Sequence, residues 1–322
     1  MPIVTSKNLQ IRLLILVVLA FLPALGFYWY ANGALRDLQV EAKEKELIQR
    51  VTMVTSEYRN LTEEANAFLG TLSEVPAVRD AQFPGCTETL RNIMDHVPNY
   101  TTISVIGVDG YLTCGSLTPE GDLYLGDRAY FVRANAVRSF AVGEFALGRI
   151  TGEAVLGMAY PVIQEGSISR TLAVSLDLDV LSQSWAREAV PEDYSFTVLD
   201  GNQRVMVRGP RPDDFTLADS VGALAEADFP GMPEGREPRI AVGTDLDGME
   251  RVFAVAPLVG VSGSPQGYVA IGRTRATLLE EVEEVSRFQL QYLAVGAVAL
   301  LILAWVLGHF WLVRRPEPTQ EA

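Results

Sequence analysis

The chain of 322 residues has few of the side chains from which active sites and metal sites are most often built. It holds two cysteines, Cys86 and Cys114, and two histidines, His96 and His309. A structural zinc site takes about four such ligands close together, and no C-x-x-C or H-x-x-x-H spacing occurs, so no metal is expected. A histidine-assisted nucleophile would have to use His96, because His309 lies in an apolar run. There is no G-x-S-x-G elbow, no G-x-x-x-x-G-K-S/T phosphate loop and no G-x-G-x-x-G fingerprint. The glycine-rich stretch 260–267 contains Pro265 and no lysine, and reads as a hairpin loop. The residues therefore suggest neither an enzyme nor a cofactor. Basic residues are also scarce, with Lys+Arg 26 against Asp+Glu 40, a formal net charge of −14 and a pI near 4.7. Phosphate backbones are held by clustered Lys and Arg, so nucleic acid is excluded as a partner.

Apolar sequence is plentiful. Hydrophobic residues make up 48% and charged ones 20%, with a mean hydropathy of +0.17, which suggests a soluble body with apolar segments attached. At about 150 residues per domain the length allows about two globular units. Residues 13–31 form an uncharged run ending in Phe27, Tyr28, Trp29 and Tyr30, and residues 293–313 form a second that contains Trp305 and closes with Phe310 and Trp311. Each is near the roughly 20 residues that cross a bilayer core, with aromatic residues at an interface. Lys7 and Arg12 precede the first run, and Arg314 and Arg315 follow the second. By the positive-inside rule both termini are cytoplasmic, and residues 32–292 lie outside. The first run is longer than a signal-peptide core and no A-x-A site follows it, so it reads as an uncleaved anchor, kinked at Pro23. An oxidising compartment favours a Cys86–Cys114 disulfide, whose loop of about 29 residues is worth roughly 3.5 kcal/mol in the chain-entropy model.

From Leu47 the apolar positions run Leu47, Val51, Val54, Tyr58, Leu61, Ala65, Phe68, Leu72. Steps alternating four and three make a coiled-coil-like seam on a long helix, which is expected to end before Pro76. The seam either pairs with a second subunit or packs along its own domain, and a division of its length between the two is expected. A helix over 86–96 and a strand over 102–108 follow, with Asp109-Gly110 as a hairpin turn. After a mixed loop come a short helix over 128–138 and strands at 140–147, 154–163 and 171–178. The sum is four or five antiparallel strands with helices on one face. The same grammar repeats with strands at 195–199, 203–208, 240–244, 251–258 and 268–272, interrupted by a Pro-, Gly- and Asp-rich stretch, 211–238. A helix is expected from Thr274 into the second apolar run.

At this point the sequence resembles the double Cache family of bacterial extracytoplasmic sensors, over about residues 35–290. The resemblance rests on the long helix and on Cys86 with Cys114 bracketing PNYTTISVIGVDGYLTC. It rests also on GDRAYFVRA (126–134), VGEFALGRITGEAVLGMAYPV (142–162) and SLDLDVL (175–181). It implies an α+β fold of one long N-terminal helix and two PAS-like antiparallel-sheet units, flanked by two transmembrane helices. The expected divisions are a cytoplasmic N-terminus 1–12, a first span 13–31, a stalk helix 32–72 and a membrane-distal unit 73–183. A membrane-proximal unit 184–275, a helix 276–292, a second span 293–313 and a short cytoplasmic tail 314–322 complete the chain.

The resemblance further implies a receptor in the bacterial inner membrane, homodimeric, with a small-molecule ligand in the distal unit. In amino-acid-binding members an Arg-x-Trp-Tyr motif and a downstream Asp hold the ligand. Here Arg128 matches the arginine, Tyr130 stands in place of Trp, Phe131 in place of Tyr, and Asp177 is the candidate acid. A guanidinium grips a carboxylate through two parallel hydrogen bonds. Losing the hydroxyl at Phe131 leaves an organic acid open beside an amino acid. Tyr160 is a further candidate. Three alternatives stand beside these assignments: Asp127 and Arg128 as a local ion pair with Asp127 as helix N-cap, Tyr130 and Phe131 as core, and Asp177 as cap of a helix from Leu178. Family members continue into a signalling module, whereas only Arg314 to Ala322 follows the second run. The expected output is thus a separate cytoplasmic kinase or cyclase. The other readings are the sensor piece of a truncated cyclase or kinase, and a non-enzymatic membrane subunit that binds an envelope protein.

Overall fold

The computed structural model describes the backbone of residues 6–80, 85–188, 194–209 and, except for 246, 235–274, with scattered positions elsewhere; side chains within 6–37 are described at few positions. Compact unit Glu44–Arg275 holds all the strands, and Met1–Lys43 with Ala276–Ala322 make a second unit. Among the described residues no helix is long and apolar enough to cross a membrane. Both runs expected to span, 13–31 and 293–313, have most of their side chains outside the described residues, as do most of the stretch 211–238 and of the helix expected after Thr274.

The four-three seam forms one helix, α1 (Ser6–Ser73), which ends before Pro76 as the sequence predicts. Leu47, Val51, Val54, Tyr58, Ala65 and Leu72 are buried, and Leu61 and Phe68 pack partly buried beside them. Their partners are the chain's own sheets. The seam is therefore internal along its length, and the expectation that part of it pairs with a second subunit is corrected on that ground.

Two short helices, α2 (Pro76–Arg79) and α3 (Gly85–Met94), lead into the first sheet. Its strands are β1 (Tyr100–Gly107), β2 (Leu112–Gly115), β3 (Ala141–Leu147), β4 (Ala154–Gln164) and β5 (Ser167–Asp177), with α4 (Ala129–Val137) between β2 and β3. After α5 (Leu178–Glu188) come β6 (Tyr194–Asp200), β7 (Val205–Gly209), β8 (Arg239–Thr244), β9 (Glu250–Val259) and β10 (Pro265–Thr274). The spatial orders, β2-β1-β5-β4-β3 and β7-β6-β10-β9-β8, are the same pattern used twice, all antiparallel. The mixed loop expected after Asp109-Gly110 contains β2, whose four residues were too few to show a period. Gly110, at φ +85, sits where only glycine is comfortable.

Strand alternation divides each sheet into two faces. In the first, Ile103, Val105, Leu156, Met158, Leu172, Val174 and Leu176 join α1 and α3 in the main core. Ile106, Ala141, Ala159 and Ala173 form a smaller cluster with Leu125 and Ala134, against which α4 lies. In the second, Phe196, Val198, Ala254, Ala256, Val269 and Ile271 join the same main core as α1. Two hydrogen bonds fix the helix laterally: Tyr58 Oη donates to Gln266 Oε1 at 2.9 Å, and Tyr194 Oη to Glu46 Oε1 at 2.9 Å.

The two sheets also meet at one carboxylate. Asp200, fully buried, ends β6. Its Oδ1 accepts from the N–H groups of Asn202 and Arg204, both at 2.8 Å, and its Oδ2 accepts from the N–H of Phe145 in β3, at 3.2 Å. Cys86 and Cys114 are joined as the sequence predicts, with Cα atoms 6.2 Å apart, tying α3 to the edge strand β2. Replacing both by serine, or reducing the bond, should lower unfolding stability by roughly 3.5 kcal/mol, read as a lower denaturant midpoint. An unchanged midpoint would show that α3 and β2 are held without the bond.

Candidate ligand-binding site

On the α4 face of the first sheet, the residues that alternate outward from the main core leave a small pocket. Its floor is Thr102 and Ser104 of β1, Ala173 and Ser175 of β5, and Val155 and Gly157 of β4. Neighbouring strands bring these together in register: Thr102 stands beside Ser175, Ser104 beside Ala173, and Gly157 beside Ser175. Thr102 Oγ1 donates to Ser175 Oγ at 3.0 Å. The floor is thus a hydroxyl stripe bordered by apolar side chains. Leu125, Arg128 and Tyr130 form one wall, and Ala146 to Thr151, the end of β3 and its hairpin turn, form the other.

Two glycines admit Tyr130. A Cβ on Gly157 would run into Cδ1 and Cε1 of the tyrosine ring, and one on Gly143 would lie 3.1 Å from the Tyr130 backbone nitrogen. The ring lies against the bare backbone of β4, and its burial pushes the hydroxyl up to about 12. What remains is about 30 Å³, room for about one or two waters.

Arg128 is the N-cap residue of α4, with extended backbone and no side-chain cap on the helix. Its Nη2 donates to the carbonyl of Leu147 across the pocket at 3.0 Å. Among the described residues it has no carboxylate partner. Asp127, read from sequence as a partner of Arg128 and as the helix cap, does neither. Its Oδ1 and Oδ2 receive Nη1 and Nη2 of Arg149 at 2.8 and 2.6 Å. Arg149 Nη1 donates also to the carbonyl of Tyr124. The hydrogen bonds from Arg149 hold the Asp127 carboxyl below its ordinary range. The pair ties the β3–β4 turn to the start of α4, fixing both sides of the pocket mouth.

Of the residues singled out from sequence, Arg128 and Tyr130 line this pocket. Phe131 packs partly buried against the small cluster under α4 and is not in the lining. Asp177 stands on the pocket side of β5, paired with Val155, but its Oδ1 accepts from the N–H groups of Asp179 at 2.8 Å and Val180 at 3.2 Å. It caps α5, the alternative read for it from sequence. Tyr160 is three positions from Gly157 and so lies on the opposite face of β4. Its ring packs beside Gly70 of α1, 3.8 Å from where a Cβ would stand. Arg149 and Gly157 were not singled out; the signals for them were a basic residue within the hairpin turn and a glycine inside a long strand.

A larger groove, about 400 Å³, lies between the two sheets, lined by Arg133, Phe140, Asn202, Ser262 and Gln266 among others. Its one cation is engaged: Arg133 meets Glu144 and donates to the carbonyls of Val142 and Gly143 at 3.2 and 3.4 Å.

No family model matches the sequence, and no curated protein matches it. Solved structures do. The ligand-binding domain of the amino acid chemoreceptor PctB of Pseudomonas aeruginosa PAO1, in complex with L-Arg, matches with a TM-score of 0.59 and 17% identity over 74% of this chain and 97% of that one. That of the Pseudomonas fluorescens chemoreceptor CtaA, in complex with L-isoleucine, matches with a TM-score of 0.60 and 13% identity over 76% and 98%. The sensor domain of the V. cholerae histidine kinase DctB gives a TM-score of 0.54 and 15% identity over 74% and 99%. The body of this chain has the two-sheet fold of these domains, the fold that the double Cache resemblance implies.

Gly157→Ala should displace Tyr130 and destabilise the protein by about 1–3 kcal/mol, the usual range for overpacking, with a matching fall in melting temperature. Tyr130→Ala in the Gly157→Ala background should cost less than the sum of the two single changes. Additive losses would show that the ring and the glycine do not share this space.

Proposed function

We propose that the protein is a membrane-anchored extracytoplasmic receptor whose distal sheet unit binds a small solute and passes the signal across the membrane. The observation that carries the reading is Arg128, a cation at the mouth of a hydroxyl-floored pocket with no described carboxylate partner. It stands in a sensor fold whose solved relatives include domains holding L-Arg and L-isoleucine. The apolar runs 13–31 and 293–313, with basic residues on their outer sides, support two spans with both termini cytoplasmic. Arg128 and Tyr130 are the proposed ligand contacts. Binding would draw the β3–β4 turn and the start of α4 together, and the population shift would be set by the difference in affinity between the two arrangements.

A ligand at 100 times its dissociation constant stabilises its protein by about 2.7 kcal/mol. The full chain in detergent should therefore melt higher with at least one member of a panel of amino acids, organic acids, polyamines and purines. Arg128→Ala should remove the shift. A panel-wide absence of shifts would turn the reading towards a subunit that recognises an envelope protein.

The receptor is proposed to work as a homodimer. The α1 seam is used within the subunit, so pairing falls to the other side of the helix, where Leu38 and Met53 are exposed. Met53→Cys should cross-link between copies in membranes, and Val54→Cys, on the buried seam, should not. The reverse pattern would overturn this arrangement.

A further inference from the structure

We infer that the groove between the two sheets is a second binding site, for a neutral sugar of one or two rings, independent of the pocket under α4. Size gives the first argument. The groove holds about 400 Å³, within the roughly 300–1,000 Å³ of small-molecule sites. Both sheets lie in the same compact unit, and each supplies a wall. Val137 at the end of α4 and Phe140 to Val142 at the start of β3 make the apolar one. Asn202 of the β6–β7 turn, with Ser262, Ser264 and Gln266 at the β9–β10 hairpin, makes the polar one.

Chemistry gives the second argument. Arg133 is the only charged side chain in the lining among the described residues, and it is engaged by Glu144 and by the carbonyls of Val142 and Gly143. An anion would have to displace Glu144, and a cation would lose water without meeting an acid in the lining. Neutral groups that both give and accept hydrogen bonds are plentiful instead. Gln266 Oε1 accepts from Tyr58 Oη at 2.9 Å, and its Nε2 donates to Ser262 Oγ at 3.1 Å. Ser262 Oγ stands 3.1 Å from Ser264 Oγ, so the chain runs from α1 into the groove and ends on a hydroxyl. Asp200 Oδ1 holds the backbone of the β6–β7 turn, and among the described residues the side-chain amide of Asn202 makes no hydrogen bond. A sugar has hydroxyls on its rim and C–H groups on its faces, which matches one amide-and-hydroxyl wall and one apolar wall.

The backbone argues against an extended peptide in the same place. β3 is the last strand of its sheet, a position open in principle to strand addition. Along it, however, the carbonyls of Val142 and Gly143 accept from Arg133, and the N–H of Phe145 donates to Asp200. The ladder positions are taken.

The test uses the full chain at neutral pH in a polyoxyethylene detergent, whose headgroup is not a sugar. Binding is followed by calorimetry at low millimolar ligand, since concentrated sugars stabilise proteins by exclusion from the surface alone. Glucose, galactose, ribose, maltose and trehalose are compared with glucosamine and glucuronate, which add a charge to the ring of glucose. At least one neutral sugar should bind, at least tenfold more tightly than either charged one. Asn202→Ala combined with Ser264→Ala, both at exposed positions, should weaken it at least tenfold. Val137→Trp, also at an exposed position, should block it by filling the groove, which tests the site by volume rather than by hydrogen bonds. A sugar that binds either variant as well as wild type would overturn the inference by lying elsewhere. Tighter binding of glucosamine or glucuronate would overturn it by charge, and silence from all the neutral sugars overturns it outright. The Arg128-dependent melting shift is read with other ligands, so each of these results leaves the receptor reading standing.

Discussion

One helix surface holds this body together. The seam from Leu47 to Leu72 is covered by apolar faces of both sheets, and the resulting core is a single cluster. Each sheet alone has a face of Val, Ile, Leu and Met side chains that would stand in water without the helix, and burying such side chains contributes about 1.5–3 kcal/mol each. The helix therefore sets the position of both sheets at once. It also sets the division of labour between sheet faces. Residues whose alternation points towards α1 are committed to packing, and only those pointing away, in the first sheet, are free to line a pocket.

That division explains why the pocket is made of small and hydroxyl-bearing residues. Ala173, Ser175, Thr102, Ser104 and Gly157 sit in the middle of strands whose other face is Leu, Val, Ile and Met. The missing volume is filled by a ring from α4, and what Tyr130 leaves is the candidate site. Selectivity in such an arrangement comes from a side chain of the wall rather than from the sheet. The ion pair of Asp127 and Arg149 contributes by satisfying one cation locally, and Arg128 is left at the pocket with no described carboxylate partner.

Much of this was legible in the sequence because it depends on period and local chemistry. The seam, the antiparallel strands, the repeat of the sheet unit, the Asp109-Gly110 turn and the disulfide all follow from spacing, turn residues or compartment. What was not legible depends on which face or partner is chosen through space. Tyr160 and Gly157 belong to one strand at an odd separation, so they lie on opposite faces, but which face holds the pocket and which meets α1 is settled only through space. Asp177 carries the same signature whether it caps α5 or meets a ligand, since a helix follows it directly. Arg149 lies in a turn between Gly148 and Gly152, and its partner Asp127 is 22 residues away, beyond the reach of local spacing. β2 is an edge strand of four residues, too short for alternation to register.

Asp200 has a consequence that concerns communication rather than stability. β3 places Ala146 and Leu147 at the pocket and, one residue earlier, the N–H of Phe145 on the Asp200 carboxylate of the second sheet. The same carboxylate fixes the β6–β7 turn through Asn202 and Arg204. Any shift of β3 would therefore disturb a buried acceptor that it shares with the other sheet. Losing that donor would leave the acceptor short in a place water does not reach, at a cost of about 1–3 kcal/mol. The two sheets are in this sense wired in series, with the β6–β7 turn and β3 joined through the two oxygens of one carboxylate.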